Sequence, residues 1–188
     1  QRGLFGELYF LRKFLQTTNN FLPIINTWTG TEKQIRDFQS GSWAVEVKTT
    51  HGNNHQKVQI SSERQLDTTN LENLFLYHIS LEQQQNSGET LNDIVDSVID
   101  ILRAEIIAQN KFKSKIYEVG YFDLQRHLYE NIGYHIRQDE FYKVENDFPR
   151  IEENDIRTGV GDVKYSITLS QCAPFSISES KVFHIIMP

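Results

Sequence analysis

Leu4, Leu8, Leu11 and Leu15 recur at helical spacing in LFGELYFLRKFLQ, which predicts an amphipathic helix over residues 4–16. One polar residue interrupts it. At about 100° per residue Glu7 projects from the edge of the apolar stripe, beside Phe14. FLPIINTW (21–28) reads as a strand, followed by strands over 33–39 and 43–50 around Ser40-Gly41-Ser42. Within WAVEVKTT, Trp43, Val45, Val47 and Thr49 alternate with Ala44, Glu46, Lys48 and Thr50, the period of two of a half-buried strand. A polar loop (51–57), a short VQI strand and a Ser-capped helix start at SSERQL come next. LFLYHISL (74–81) is apolar on both faces, as a central strand is. Thr90 with Asp93 three residues on is a capping box. It opens a helix on Leu91, Ile94, Val95, Val98, Leu102 and Ile106 that runs to about Asn110. A further helix within 113–131 and strands over 134–144 and 163–170 complete a mixed α/β pattern.

Composition narrows the class. The 188 residues, 38% hydrophobic with 12 Phe and 8 Tyr, describe a folded domain rather than a disordered chain. One domain is expected over 1–188, with a core at about 1–85 and additions over 86–188. The only Met is Met187, so the chain is expected to be a piece of a longer polypeptide. The net charge of −6 excludes polybasic, histone-like binding, though not a local basic face. A lone cysteine, Cys172, excludes a disulfide framework, favours a reducing, cytoplasmic compartment, and reads as a small buried hydrophobe. No run is apolar enough for a membrane span.

The candidate chemistry lies in Asp37, eight residues, then Glu46-Val47-Lys48. If Gly41-Ser42 is the hairpin loop, residue 40 pairs with 43 and Asp37 faces Glu46. If Ser40-Gly41 is the loop, Asp37 becomes a diagonal neighbour of Glu46 on the same face. Either register brings the carboxylates together and points Lys48 to their face, with Val45 and Val47 toward the core. Facing carboxylates repel unless a proton or a divalent cation lies between them. An all-oxygen donor set selects a hard cation, and Mg²⁺ (or Mn²⁺) needs only one or two carboxylates besides water and a substrate phosphate. Asp37 and Glu46 would hold it, with the Val47 carbonyl and Glu7 as further ligands. Lys48 would orient water or offset charge on a phosphoryl group, which is the chemistry of phosphodiester hydrolysis. The competing reading is an exposed hairpin bearing a surface Glu/Lys pair.

The same residues resemble the PD-(D/E)xK nuclease superfamily, which includes many restriction endonucleases. More narrowly, GLFGEL, RDF, EVKTT, SSERQL and GVGDVKYSITLSQC are similar to an uncharacterised bacterial family described as belonging to that superfamily. The resemblance implies a restriction-endonuclease-like α-β-β-β-α-β core with a C-terminal α+β extension. It implies catalytic roles for Asp37, Glu46 and Lys48, for Glu7 on the first helix, and for Gln65 as an auxiliary residue. Arg36 stands where the Pro that names the motif would be. The implied activity is a Mg²⁺-dependent DNA endonuclease of restriction or phage-defence type, acting as a homodimer or within a larger defence complex. The alternatives are a catalytically silent binding subunit of a defence or repair complex, or a nuclease of RNA or of branched or damaged DNA.

Secondary candidates surround this set. His51, Asn53, Asn54, His55 and Lys57 follow the active strand and are candidate substrate contacts. Lys111, Lys113 and Lys115 read as a solvated face that could touch phosphates, and Gly159-Val-Gly161 as a turn. Residues 1–94 carry 8 basic and 10 acidic side chains and residues 95–188 carry 11 and 15. Substrate is therefore expected to meet the first half. Much of the second, including Glu145, Asp147, Glu152, Glu153 and Asp155, is expected to face solvent or a protein partner.

Overall fold

A computed structural model of the chain describes residues 1–32, 34–52 and 56–187. The first half runs α1 (Arg2–Leu15), α2 (Phe21–Thr27), β1 (Phe38–Ser40), β2 (Trp43–His51), β3 (Lys57–Ile60) and β4 (Asn73–Gln85). The second runs β5 (Glu89–Thr90), α3 (Leu91–Ile101), α4 (Ile106–Glu118), β6 (Ile132–Lys143), β7 (Tyr165–Thr168), α5 (Leu169–Cys172), β8 (Ser176–Ile177) and α6 (Glu179–Ile186).

A mixed, six-stranded sheet carries this architecture, in the order β1-β2-β4-β6-β5 with β8 also on β6. β1 and β2 are antiparallel with Ser40 opposite Trp43, so Gly41-Ser42 is the loop; Gly41 takes φ +54°, a left-handed conformation a side chain would disfavour. β2 and β4 are parallel, with Glu46 beside Leu76 and Lys48 beside His78. β4 is central, as its two apolar faces require, and β6 lies antiparallel along it. β3 and β7 form a separate two-stranded sheet.

The sheet has two buried faces. Val45, Val47, Phe75, Tyr77 and Ile79 pack against Phe5, Leu8, Phe10 and Phe14 of α1 and against α3, α4 and α6. Ala44, Leu74 and Leu76 pack on the other side against Val58, Ile60, Leu66, Ile167 and Cys172. α1 approaches β2 closely: a Cβ on Gly6 would stand 2.3 Å from Thr49 Cγ2. Gly6 therefore sets how near Glu7 comes to the strand.

Several elements differ from the sequence reading. Residues 21–27 are a helix, not a strand, burying Phe21, Ile24 and Ile25 at i, i+3, i+4. Pro23 is tolerated in its first turn, and the Glu105 carboxylate accepts hydrogen bonds from the N–H groups of Phe21 (2.9 Å) and Leu22 (3.3 Å). The strand expected over 33–39 shrinks to 38–40, because the Asp37 carbonyl is taken by the N–H groups of Thr29 (2.8 Å) and Gly30 (2.9 Å). The helix expected to reach Asn110 starts on its Thr90–Asp93 box but breaks after Ile101 into a 3₁₀ turn, and α4 begins at Ile106. The helix expected within 113–131 is only the end of α4, which stops at Glu118, followed by a 3₁₀ turn over Asp123–Leu128. Gly120 (φ +84°) and Tyr121 donate to the carbonyls of Tyr117 (3.0 Å) and Ile116 (3.1 Å), a Schellman ending.

Candidate active site

Asp37 enters the site from the sheet edge. Its Oδ2 accepts a 2.7 Å hydrogen bond from the Val47 N–H, so the side chain takes the place of a ladder carbonyl and is held beside Glu46. The register is the first of the two expected. Glu46 projects to the second face and is 0% exposed, which removes the reading of a surface Glu/Lys pair. Lys48 Nζ lies 2.7 Å from Glu46 Oε1 as an ion pair, and Glu46 Oε2 is buried with no partner among the described residues. A buried carboxylate in that state is costly unless something else meets it.

Gln65 fixes the lysine. Its Oε1 accepts from Lys48 Nζ (3.1 Å) and from the Ser61 N–H (2.9 Å), and it sits on the Glu63–Leu66 turn that Ser62 caps. Glu7 closes the group from α1, with Oε2 accepting from Trp28 Nε1 at 2.8 Å. A Cβ on Gly30 would stand 3.1 Å from Asp37 Oδ1 and 3.3 Å from Glu7 Oε2, so a side chain there would crowd both oxygens.

Electrostatics confirm that these groups feel one another. Burial, and after it the Asp37 charge, pushes Glu46 up to about 8, against the pull of Lys48. Burial and then Asp37 push Glu7 up to about 8 as well, opposed by the Trp28 hydrogen bond and by Lys48. Burial raises Asp37, opposed by the Val47 N–H and Lys48. The charges compete for protons that a divalent cation would replace. The donor set fits such a cation: oxygen-only carboxylates, with Glu46 Oε2 left without a partner among the described residues. Among the described residues no three Asp, Glu, His or Cys side chains stand at metal-binding separation. Asp37 and Glu46 are thus the pair on offer, and Val47 contributes its N–H to holding Asp37.

The remaining candidates separate. His51 and Lys57 line a cleft that Lys48 shares with Arg2. Asn53, Asn54 and His55 lie outside the described residues. Lys115 is not on a solvated face: it is 1% exposed and donates to the Trp28 carbonyl (2.6 Å) and Glu32 Oε1 (2.7 Å). Charge orientation also needs correcting at Glu152 and Glu153. Glu152 accepts from the Thr68 N–H (3.2 Å) and hydroxyl (2.7 Å), Glu153 pairs with Arg64 (2.7 Å), and its N–H donates to Asp67 Oδ2 (3.1 Å). Those two acids fasten the second half to the segment behind Gln65; Asp147 and Asp155 are exposed, as expected, and so is much of Glu153.

Sequence reasoning passes over Trp28, Gly30, Arg36 and Arg2. Arg36, buried where the motif's Pro would stand, donates to the carbonyls of Gln65 (3.3 Å) and Asp67. Its guanidinium ties the approach to Asp37 to the turn carrying Gln65. Only Arg36 left a trace in the sequence, as the departure from the motif.

No helix among the described residues is long and apolar enough to cross a membrane. No curated protein and no solved structure matches the chain. A family model matches residues 1–170, nearly all of it, and spans the hairpin, Gln65 and the first helix. The chain therefore belongs to the family described as "Putative PD-(D/E)XK family member (DUF4420)".

Proposed function

We propose that the chain is a metal-dependent phosphodiester hydrolase with a restriction-endonuclease-like core, acting on DNA in a restriction or phage-defence setting. The observation that carries this reading is the buried Glu46 carboxylate beside Asp37, with one oxygen paired to Lys48 and the other, Oε2, without a partner among the described residues. A fold seeking only stability would leave that group protonated or replace it. Asp37 and Glu46 would hold Mg²⁺ or Mn²⁺, which when bound supplies Lewis-acid stabilisation of a phosphoryl oxygen.

The chain's own residues do the rest. Glu46 and Gln65 hold the Lys48 ammonium at 2.7 and 3.1 Å, aimed where charge develops as water's oxygen bonds to phosphorus and the sugar oxygen leaves. Val47 fixes Asp37, and Trp28 fixes Glu7 against the same group. A panel of duplex, single-stranded, methylated and branched DNA and of RNA, with Mg²⁺ or Mn²⁺ and with EDTA, tests the reading. Cleavage of DNA in metal alone is expected. No cleavage of any substrate in either metal overturns it.

A further inference from the structure

Beyond the carboxylates, the face of β2 that bears Lys48 opens into a cleft of about 220 Å³ lined by Arg2, Lys48, Thr50, His51, Lys57 and Gln59 among others, with no carboxylate in its walls. In a chain of net charge −6 this is a local excess of positive charge. Arg2 Nε is buried and has no hydrogen-bond partner among the described residues. Neither Arg2 nor Lys57 forms an ion pair among them, whereas Lys48 next door is paired to Glu46. Arg2 thus lines the cleft with a charge that no acid among the described residues pairs, and its planar guanidinium suits phosphate oxygens. His51 stands three residues beyond Lys48, about 10 Å along the strand. Whatever fills the cleft is therefore continuous with what touches Lys48.

We propose that this cleft is a phosphate subsite. Arg2 and Lys57 bind the phosphate that neighbours the scissile one on the same nucleic-acid strand, and so set the strand's direction across Lys48. The subsite deepens the nuclease reading and rests on it for the identity of the strand, but its test is read by binding.

The test is fluorescence anisotropy of a labelled DNA oligonucleotide in EDTA, over a range of NaCl, for the wild type, Arg2→Gln, Lys57→Gln and Lys181→Gln, the last an exposed lysine of α6. Arg2→Gln and Lys57→Gln should each weaken binding and reduce the slope of log affinity against log salt by about 0.7–0.9, the loss of one phosphate contact. Lys181→Gln should match the wild type, and all four should melt alike. An unchanged slope and affinity in Arg2→Gln overturns the subsite even if the wild type cuts DNA. An Arg2-dependent slope in a chain that cuts nothing keeps the subsite and overturns the hydrolase. Absence of wild-type binding overturns the subsite outright.

Discussion

At Glu46 the proposed chemistry and the stability of the fold conflict most sharply. Its carboxylate is fully buried, Oε2 has no partner among the described residues, and its proton is held up to about 8. Glu46→Gln keeps the shape and removes the charge. It should raise the melting temperature at pH 8 in the absence of metal, and the further rise expected of the wild type on adding Mn²⁺ should disappear. A variant less stable than wild type, or still stabilised by Mn²⁺, would show that Glu46 is not a metal ligand. Trp28→Phe removes the donor that holds Glu7, leaving a partly buried carboxylate oxygen unpaired at a cost of about 1–3 kcal/mol by denaturant titration. At this scale the sequence exposes Asp37, Glu46 and Lys48, because strand alternation alone fixes which side chains share a face. Trp28 and Gly30 stay hidden. An indole's partner and the room a glycine leaves are set by a chain segment that touches β1 only after folding.

Elements divide in the same way. α1, β2, β4 and the box at Thr90 are legible because local periodicity and local capping agree with the final environment. α2 is misread. Its seven residues show too little period to separate from a strand, and what ends its unpaired N–H groups is Glu105, 84 residues away from Phe21. The same residue stands at the break between α3 and α4, where its backbone leaves the helical region (φ −127°, ψ 87°) as the N-cap of α4. Glu105→Ala should cost about 1 kcal/mol, comparable to loss of a helix cap, measured by urea denaturation. α1 is positioned by contact: Gly6→Ala forces a Cβ onto Thr49 Cγ2 and should destabilise by about 1–3 kcal/mol. Because Glu7 on the same turn interacts by charge with Asp37 and Glu46, the proposed metal pair, that variant should also change Mn²⁺ affinity in calorimetry. A fully stable Gly6→Ala would mean that α1 does not sit where Glu7 needs it.

For the whole molecule, the carboxylate group makes stability depend on pH in a defined window. Glu7 and Glu46 bind protons up to about 8 when folded and only to about 4.5 when unfolded. Their contribution is complete below the unfolded value and is lost as pH rises through 8. Without metal, the melting temperature should therefore fall between pH 5.5 and 8.5, and saturating Mg²⁺ should offset that fall. Glu32, Asp67 and Glu152, held below the ordinary carboxylate range, act only at more acidic pH and leave the window clear. A metal-free melting temperature that is flat across this window would contradict the burial of these acids. Net charge told part of the orientation: Asp147 and Asp155 face solvent, whereas the acids at 152 and 153 brace the turn behind Gln65, and composition carries no record of which partner an acid finds. The central claim is that Asp37, Glu46 and Lys48 hydrolyse phosphodiester bonds with a bound divalent cation. Its most direct measurement is the rate of DNA cleavage in Mg²⁺ for the wild type beside Lys48→Ala, with both shown to be folded by their melting curves. Metal-dependent cleavage that falls by about 10²-fold or more in Lys48→Ala is predicted, and cleavage at the wild-type rate in that variant would contradict it.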